Sequence, residues 1–185
     1  MKVERLAIPD VILVVPDRYG DERGFFSEVF SVPRFEEAGI GLSFVQDNHS
    51  LSRERGVVRG LHLQLSPYAQ GKLVRVTRGS IWDVAVDVRH GSPTYGRHVG
   101  AVLSADNWHQ LWIPAGFLHG FCTLEPNTEV FYKVTADYDK PAERGVTWDD
   151  PDLQIPWPIA ASEAVISDKD RKLPRLADCP AWFSV

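Results

Sequence analysis

The chain has 185 residues, 44 % hydrophobic and 24 % charged, a composition that suits a folded domain with a sizeable core and excludes a disordered chain. Its formal net charge is −5 and its pI about 5.7, which argues against a general nucleic-acid-binding face but leaves room for a local cationic pocket. No stretch approaches the roughly 20 apolar residues of a membrane span, and residues 1–6 lack the apolar run of a signal peptide.

The two cysteines, Cys122 and Cys179, lie far apart and form no disulfide framework. That usage fits a reducing cytoplasm. There is no internal repeat and no low-complexity tract.

Residues 2–16 hold short apolar runs broken by Pro9 and Pro16, which read as strands with turns between. In the next segment, alternation puts Phe26, Glu28 and Phe30 on one face of a strand and Arg23, Phe25, Ser27 and Val29 on the other. Ser31 is an N-cap candidate for a short helix that ends at Gly39. Residues 42–51 read as a strand carrying Gln46, Asn48 and His49. Two further strands follow, over 56–64 with Arg59 and His62, and over 71–76 with Lys72 and Arg75.

Residues 80–90 alternate clearly, with Trp82, Val84, Val86 and Val88 on one face and Asp83, Ala85 and Asp87 on the other. Strands are expected at about 97–104, 109–114, 117–124 and 128–136, with Gly, Pro and Asn between them. Many short strands with turns this close together mean a sandwich, jelly roll or barrel. Beyond about residue 137 six prolines break any long element, and Ser167 is a cap for one short helix. The expected architecture is all-β: one cupin-type jelly-roll barrel over about 40–136 with a few short helices, the N-terminal strands and the C-terminal tail packing on it, and 1–185 as a single domain.

A strand histidine is ordinarily a structural residue. His62 differs because Arg59, Lys72 and Arg75 lie on neighbouring strands, and cations near an imidazole favour its neutral, basic form. Arg59 and His62 have opposite parity on a regular strand. Both reach one pocket only if the strand bulges, and Gly60 is the natural place. Pro114-Ala115-Gly116-Phe117-Leu118-His119 is the second half of a cupin signature, a tight turn that delivers a histidine to the barrel mouth. The first half lacks its metal ligands: Gln64 stands where a second histidine belongs, and no glutamate follows at the right distance. A firm divalent site wants three or four N, O or S ligands, so a metal-free barrel is expected. The bland reading of His119 is a turn cap. Tyr132 is either a core tyrosine with a satisfied hydroxyl or a proton donor. A histidine base gains direction from a carboxylate, and the pattern alone does not choose among Asp83, Asp168 and Asp170.

Several segments, taken in order, resemble the dTDP-4-dehydrorhamnose 3,5-epimerase family. They are Asp21-x-Arg23-Gly24-x-Phe26-x-Glu28, Gln46-Asp47-Asn48-His49-Ser50, Arg59-Gly60-Leu61-His62, Gln70-Gly71-Lys72-Leu73-Val74-Arg75, Ser92-Pro93-Thr94-Tyr95-Gly96, Ile113-Pro114-x-Gly116-Phe117-x-His119-Gly120-Phe121 and Ser167-Asp168-Lys169-Asp170. The resemblance covers about 5–175 and is far more specific than the cupin half-signature. It implies a cofactor-independent, metal-free epimerase of a dTDP-4-keto-6-deoxy sugar, acting as a homodimer in the cytoplasm. It also implies roles: His62 as base with Asp170 as its dyad partner, Tyr132 as donor on the opposite face of the sugar, Lys72 as enolate stabiliser. Arg23, Phe26, Glu28, Gln46, Asn48, Arg59, His119, Glu143 and Lys169 match substrate-contacting positions, and Tyr138 the aromatic at the thymine. One departure is Leu63, where the family usually has an aromatic, with altered packing the expected result. A monoepimerase of a related sugar, a metal-dependent cupin enzyme and a silent sugar-binding cupin are the competing readings.

Overall fold

The computed structural model describes residues 1–41 and 43–185. The strands are β1 (Lys2–Arg5), β2 (Ile12–Val15), β3 (Tyr19–Asp21), β4 (Gly24–Phe26), β5 (Gln46–Ser52), β6 (Val58–Gln64), β7 (Lys72–Arg78), β8 (Ser80–Asp87), β9 (Arg89–His90), β10 (His98–Ser104), β11 (Gln110–Ile113), β12 (Phe117–Thr123), β13 (Thr128–Val134), β14 (Glu143–Gly145) and β15 (Phe183–Ser184). One α-helix, α1 (Val32–Glu37), and four short 3₁₀ turns complete the elements of the described residues. The expected strands from 56 to 136 all form, within a few residues of the boundaries read from the turn signals. Leu42, the first residue of the strand expected over 42–51, lies outside the described residues, and the strand itself runs from Gln46.

Two antiparallel sheets face each other. One has six strands in the order β1-β2-β11-β7-β13-β5, the other five in the order β10-β8-β12-β6-β14. This is the all-β jelly-roll arrangement. The facing rows alternate apolar with functional side chains. Phe117, His119 and Phe121 lie along β12, Ile81, Asp83 and Ala85 along β8, and Lys72, Val74 and Val76 along β7. The apolar members join Leu111, Ile113, Leu103 and Val130 in one buried cluster. Each large side chain fully buried there contributes about 1.5–3 kcal/mol.

The outer faces are covered too. Val84 and Val86 of β8, with Val88 just beyond it, pack with Leu61, Leu63 and Leu118 beneath Leu153, Ile155, Trp157 and Leu176 of the tail. Leu63 therefore points away from His62, as strand parity requires. Tail and sheet are tied by main-chain bonds between Val58 N and Val165 O (3.0 Å) and between Val165 N and Gly56 O (2.9 Å). On the other sheet, Leu73 and Trp112 are covered by Phe35 of α1, Ile40 and the flanking Phe30 and Phe44. Ser31 occupies the N-cap position, but its hydroxyl makes no cap bond; Gly39, with φ +85°, ends the segment.

Two local readings are corrected. Strand structure after Arg23 stops at Phe26, because among the described residues β4 pairs only with β3, in an exposed hairpin. Phe26 is 71 % exposed whereas Phe30 packs on Phe35 and Phe44, so the two do not share a face. Arg75 also leaves the predicted cation group. It is three residues from Lys72 on a regular strand, so it emerges on the opposite face, over the ring of Phe131.

Candidate active site

The Arg59–His62 parity problem is solved in the backbone. On β12, His119 and Phe121 are two residues apart; their partners on β6, His62 and Arg59, are three apart, with the register shift between them. Gly60 sits in this bulge at φ +116°. A Cβ there would come within 2.6 Å of both Gly120 Cα and the His119 carbonyl oxygen. Only glycine fits, and the extra residue turns Arg59 and His62 into the same cavity.

That cavity, of about 530 Å³, is lined by Arg59, His62, Lys72, His119, Tyr132, Lys169 and Asp170, with Ser50, Phe121 and Ser167 among the remaining walls. A second space of about 240 Å³ shares His62, Lys72 and Tyr132 with the first and adds Gln46, Asn48, Tyr138 and Glu143. The two form one groove with His62, Lys72 and Tyr132 at its waist.

The carboxylate question has a definite answer. His62 Nε2 lies 2.7 Å from Asp170 Oδ1. Ser167 Oγ accepts from the Asp170 main-chain N–H at 3.1 Å and so aims this acid from the tail. Burial pushes the Asp170 carboxyl up, but the His62 bond and charge, with the Gly60 and Ser167 bonds, outweigh it and hold the group below its usual value. Asp83 pairs instead with His119, Oδ1 to Nε2 at 2.6 Å. Asp168 is exposed and takes neither place. His119 is thus no turn cap: it sits within β12, three residues beyond the Gly116 turn.

Lys72 is almost wholly buried, and no described residue hydrogen-bonds its ammonium. Burial lowers its pKa to about 8, against the opposing charges of Asp83 and Glu143. The Tyr132 phenol is raised, chiefly by burial, and stays protonated at neutral pH. At the far end of the groove, Lys169 Nζ lies 2.6 Å from Glu143 Oε1 and Tyr138 donates to Glu143 Oε2 at 3.0 Å. Burial acts to raise the Glu143 carboxyl, and these two bonds bring it below its ordinary value. Gln46 donates to Asn48 Oδ1 at 2.8 Å and accepts from the Tyr138 N–H at 3.0 Å.

Gln64, where a cupin metal ligand is expected, is committed elsewhere. Its amide donates to the Tyr68 and Asp137 carbonyls and accepts from the Asp139 N–H. Among the described residues no three His, Cys, Asp or Glu side chains gather as a metal set, and no helix is long and apolar enough to cross a membrane.

Three predicted residues lie outside this groove. The Arg23 side chain is 90 % exposed and paired with Asp21, Phe26 is exposed, and Glu28 is bonded to Arg34. Ser50, Ser167 and Phe121 were not singled out as site residues. Ser50 had a legible signal, since it shares parity with Gln46 and Asn48 on β5. The Val165-Ile166 wall had none.

Known proteins resemble this chain in sequence and in fold. The family described as dTDP-4-dehydrorhamnose 3,5-epimerase matches residues 5–178. A protein of that name from Pseudomonas aeruginosa is 54 % identical over 183 residues, covering 98 % of this chain and 99 % of its own. Another, from Sinorhizobium fredii, is 52 % identical over 183 residues, covering 99 % and 93 %. The crystal structure of a dTDP-6-deoxy-D-glucose-3,5-epimerase from Legionella pneumophila, in complex with dTDP-4-keto-L-rhamnose, superposes with a TM-score of 0.92 at 45 % identity over 97 % of this chain and 95 % of its own. With a match this long, carried by the sequence and the two-sheet fold alike, the chain belongs to the dTDP-4-dehydrorhamnose 3,5-epimerase family.

Proposed function

We propose that this protein inverts C3 and C5 of dTDP-4-dehydro-6-deoxyglucose to give dTDP-4-dehydro-L-rhamnose, without a cofactor. Both carbons are α to the C4 ketone, so their protons are acidic. The observation that carries the reading is the His62–Asp170 pair at 2.7 Å in one cavity with Lys72 and Tyr132. With the Nε2 proton directed at Asp170, His62 Nδ1 is left with a lone pair and serves as the base. As the proton leaves, charge moves to the C4 oxygen, where the buried Lys72 ammonium stabilises the enolate. Tyr132, a protonated phenol, returns a proton from the opposite face, which inverts the centre.

Arg59 serves the diphosphate. Gln46, Asn48, His119, Glu143 and Lys169 hold the sugar and nucleotide, with Tyr138 against the thymine. The chain works as one unit, since the tail supplies Asp170 to the barrel site. Arg23, Phe26 and Glu28 act in the site of a second copy, in a homodimer whose N-terminal hairpins cross over. Support comes from the hairpin itself, which exposes Tyr19, Phe25 and Phe26 together. The location is cytoplasmic, in keeping with Cys122 and Cys179 as free thiols.

The test is solvent-deuterium incorporation into dTDP-4-keto-6-deoxyglucose, read by NMR. Deuterium at both C3 and C5 is expected. Incorporation at one carbon only identifies a monoepimerase, and incorporation at neither overturns the proposal.

A further inference from the structure

His119 pairs with Ala85 across β12 and β8, and Asp83, two residues along β8, is its diagonal neighbour on the inward row. The exposure of Asp83 is 0 %. Its Oδ1 meets His119 Nε2 at 2.6 Å; its Oδ2 is buried with no hydrogen-bond partner among the described residues. A carboxylate oxygen left unmet in the interior is destabilising, and an apolar side chain would pack between Ile81 and Ala85 without that penalty. His119 borders the cavity; Asp83, wholly buried, does not line it. What Asp83 does for the site therefore passes through the imidazole.

We propose that Asp83 is a positioning residue for the epimerisation: it locks His119 as the Nε2–H tautomer, so that Nδ1 meets the sugar as the acceptor for a ring hydroxyl. The inference rests on the epimerase reading, which puts the sugar in this cavity. A carboxylate only accepts, so the hydrogen between the two groups belongs to Nε2, and Nδ1 of the neutral ring keeps its lone pair. No described residue hydrogen-bonds Nδ1. The same cavity already holds donors in Arg59, Lys72, Tyr132 and Lys169. A diphosphate offers acceptors alone and is served by such donors. A sugar hydroxyl also has a hydrogen to give, and Nδ1 is placed to take it. His119 thus reads the sugar rather than the nucleotide, and Asp83 decides which way it reads.

The experiment compares kcat/KM for deuterium exchange at C5 of dTDP-4-keto-6-deoxyglucose with that of its 2-deoxy and 3-deoxy analogues, in wild type and Asp83→Val. Wild type should prefer the parent sugar over one of the two analogues by about tenfold or more. In Asp83→Val that preference should fall to roughly twofold or less, because the ring is no longer held with Nδ1 toward the hydroxyl. Binding of dTDP, which has no sugar, should be unchanged by calorimetry. A preference that survives undiminished in Asp83→Val overturns the inference, and so does a loss of dTDP binding as large as the loss of turnover, which marks a purely structural role. ¹⁵N NMR of labelled histidine, with His119→Gln to identify the signals, should find the wild-type ring protonated at Nε2 and bare at Nδ1. If the valine variant does not fold, wild type decides: a proton on Nδ1, or no preference against either analogue, overturns the proposal. Wild type that incorporates no deuterium into the parent sugar removes the epimerase reading itself; incorporation with an undiminished preference in Asp83→Val removes this inference alone.

Discussion

His62 and His119 are direct cross-strand partners, facing each other between β6 and β12. Each turns its Nε2 onto a carboxylate from a different part of the chain, Asp170 at 2.7 Å and Asp83 at 2.6 Å. Two imidazoles on one cavity wall are thereby given separate surroundings, and their variants should separate as well.

Removal of the proposed base is the first case. His62→Asn should lose both epimerisation and α-proton exchange, by about 10²- to 10⁴-fold in kcat/KM. Asp170→Asn leaves the imidazole in place but takes away the carboxylate that orients it, so its loss should be smaller. Exchange followed by NMR in deuterated buffer measures both. Full exchange in His62→Asn would show that the base lies elsewhere.

Tyr132→Phe should dissociate the two half-reactions. On the proposed roles the base is untouched, so α-proton exchange continues, while inversion falls because the opposite face has lost its acid. Comparing the rate of deuterium wash-in with the rate of product formation distinguishes them. Inversion at the wild-type rate assigns the donor to another group.

The pH dependence follows from Lys72. Its folded-state pKa, about 8, lies below the ordinary lysine value because burial disfavours the ammonium. The cation is present below that value and is lost as pH rises through it. Activity of the free enzyme, kcat/KM, should therefore decline with a midpoint near 8. In the limb for kcat, the diphosphate and the developing enolate favour the charged form and move the midpoint upward. Rates measured from pH 6 to 10 on wild type and Lys72→Arg check this, since an arginine stays charged throughout and should show no such limb.

Gly60→Ala should damage stability and the site together. The residue sits at φ +116°, and the added carbon would meet Gly120 Cα and the His119 carbonyl at 2.6 Å. Backbone strain plus two main-chain clashes should cost at least about 2–3 kcal/mol. In a chain of this size that lowers Tm by roughly 4–12 °C. Calorimetry measures the loss, and the activity that remains at a permissive temperature reports how far Arg59 and His62 have moved.

The exposed hairpin makes a further prediction. In the proposed homodimer, Phe26→Glu should shift the protein from dimer to monomer in sedimentation, because it places a charge on the exposed apolar surface of the hairpin. A monomer keeps its own groove but loses the partner's Arg23 and Glu28, so KM should rise more than kcat falls. A variant that remains dimeric with unchanged KM would place these three residues outside the site.

The strands and their faces were legible because they follow from local alternation. The rows through Asp83, Ala85 and Trp82, Val84 are where the pattern put them. Even the bulge was legible, since Arg59 and His62 shared a cavity only if Gly60 broke the period. The matching of acids to histidines was not. Asp170 is 108 residues from His62 and Asp83 is 36 from His119, and periodicity carries no information about such separations. The resemblance named Asp170; the physical pattern left three acids open. Arg75 was misplaced for a related reason: nearness in sequence was allowed to outweigh the parity that separates it from Lys72. The strand read through Phe30 failed because β-alternation needs a neighbour to pair with, and beyond Phe26 the segment has no strand partner among the described residues.

The short turn that brings Asp170 to His62 also orders events during synthesis. The imidazole leaves the ribosome more than a hundred residues before its carboxylate. Until residues 165–170 have emerged and docked along Gly56 and Val58, the two sheets can close around a histidine that lacks its partner. On the proposed mechanism proton abstraction therefore waits for residues 165–170, and an exchange assay on nascent chains reads docking of that segment rather than closure of the core.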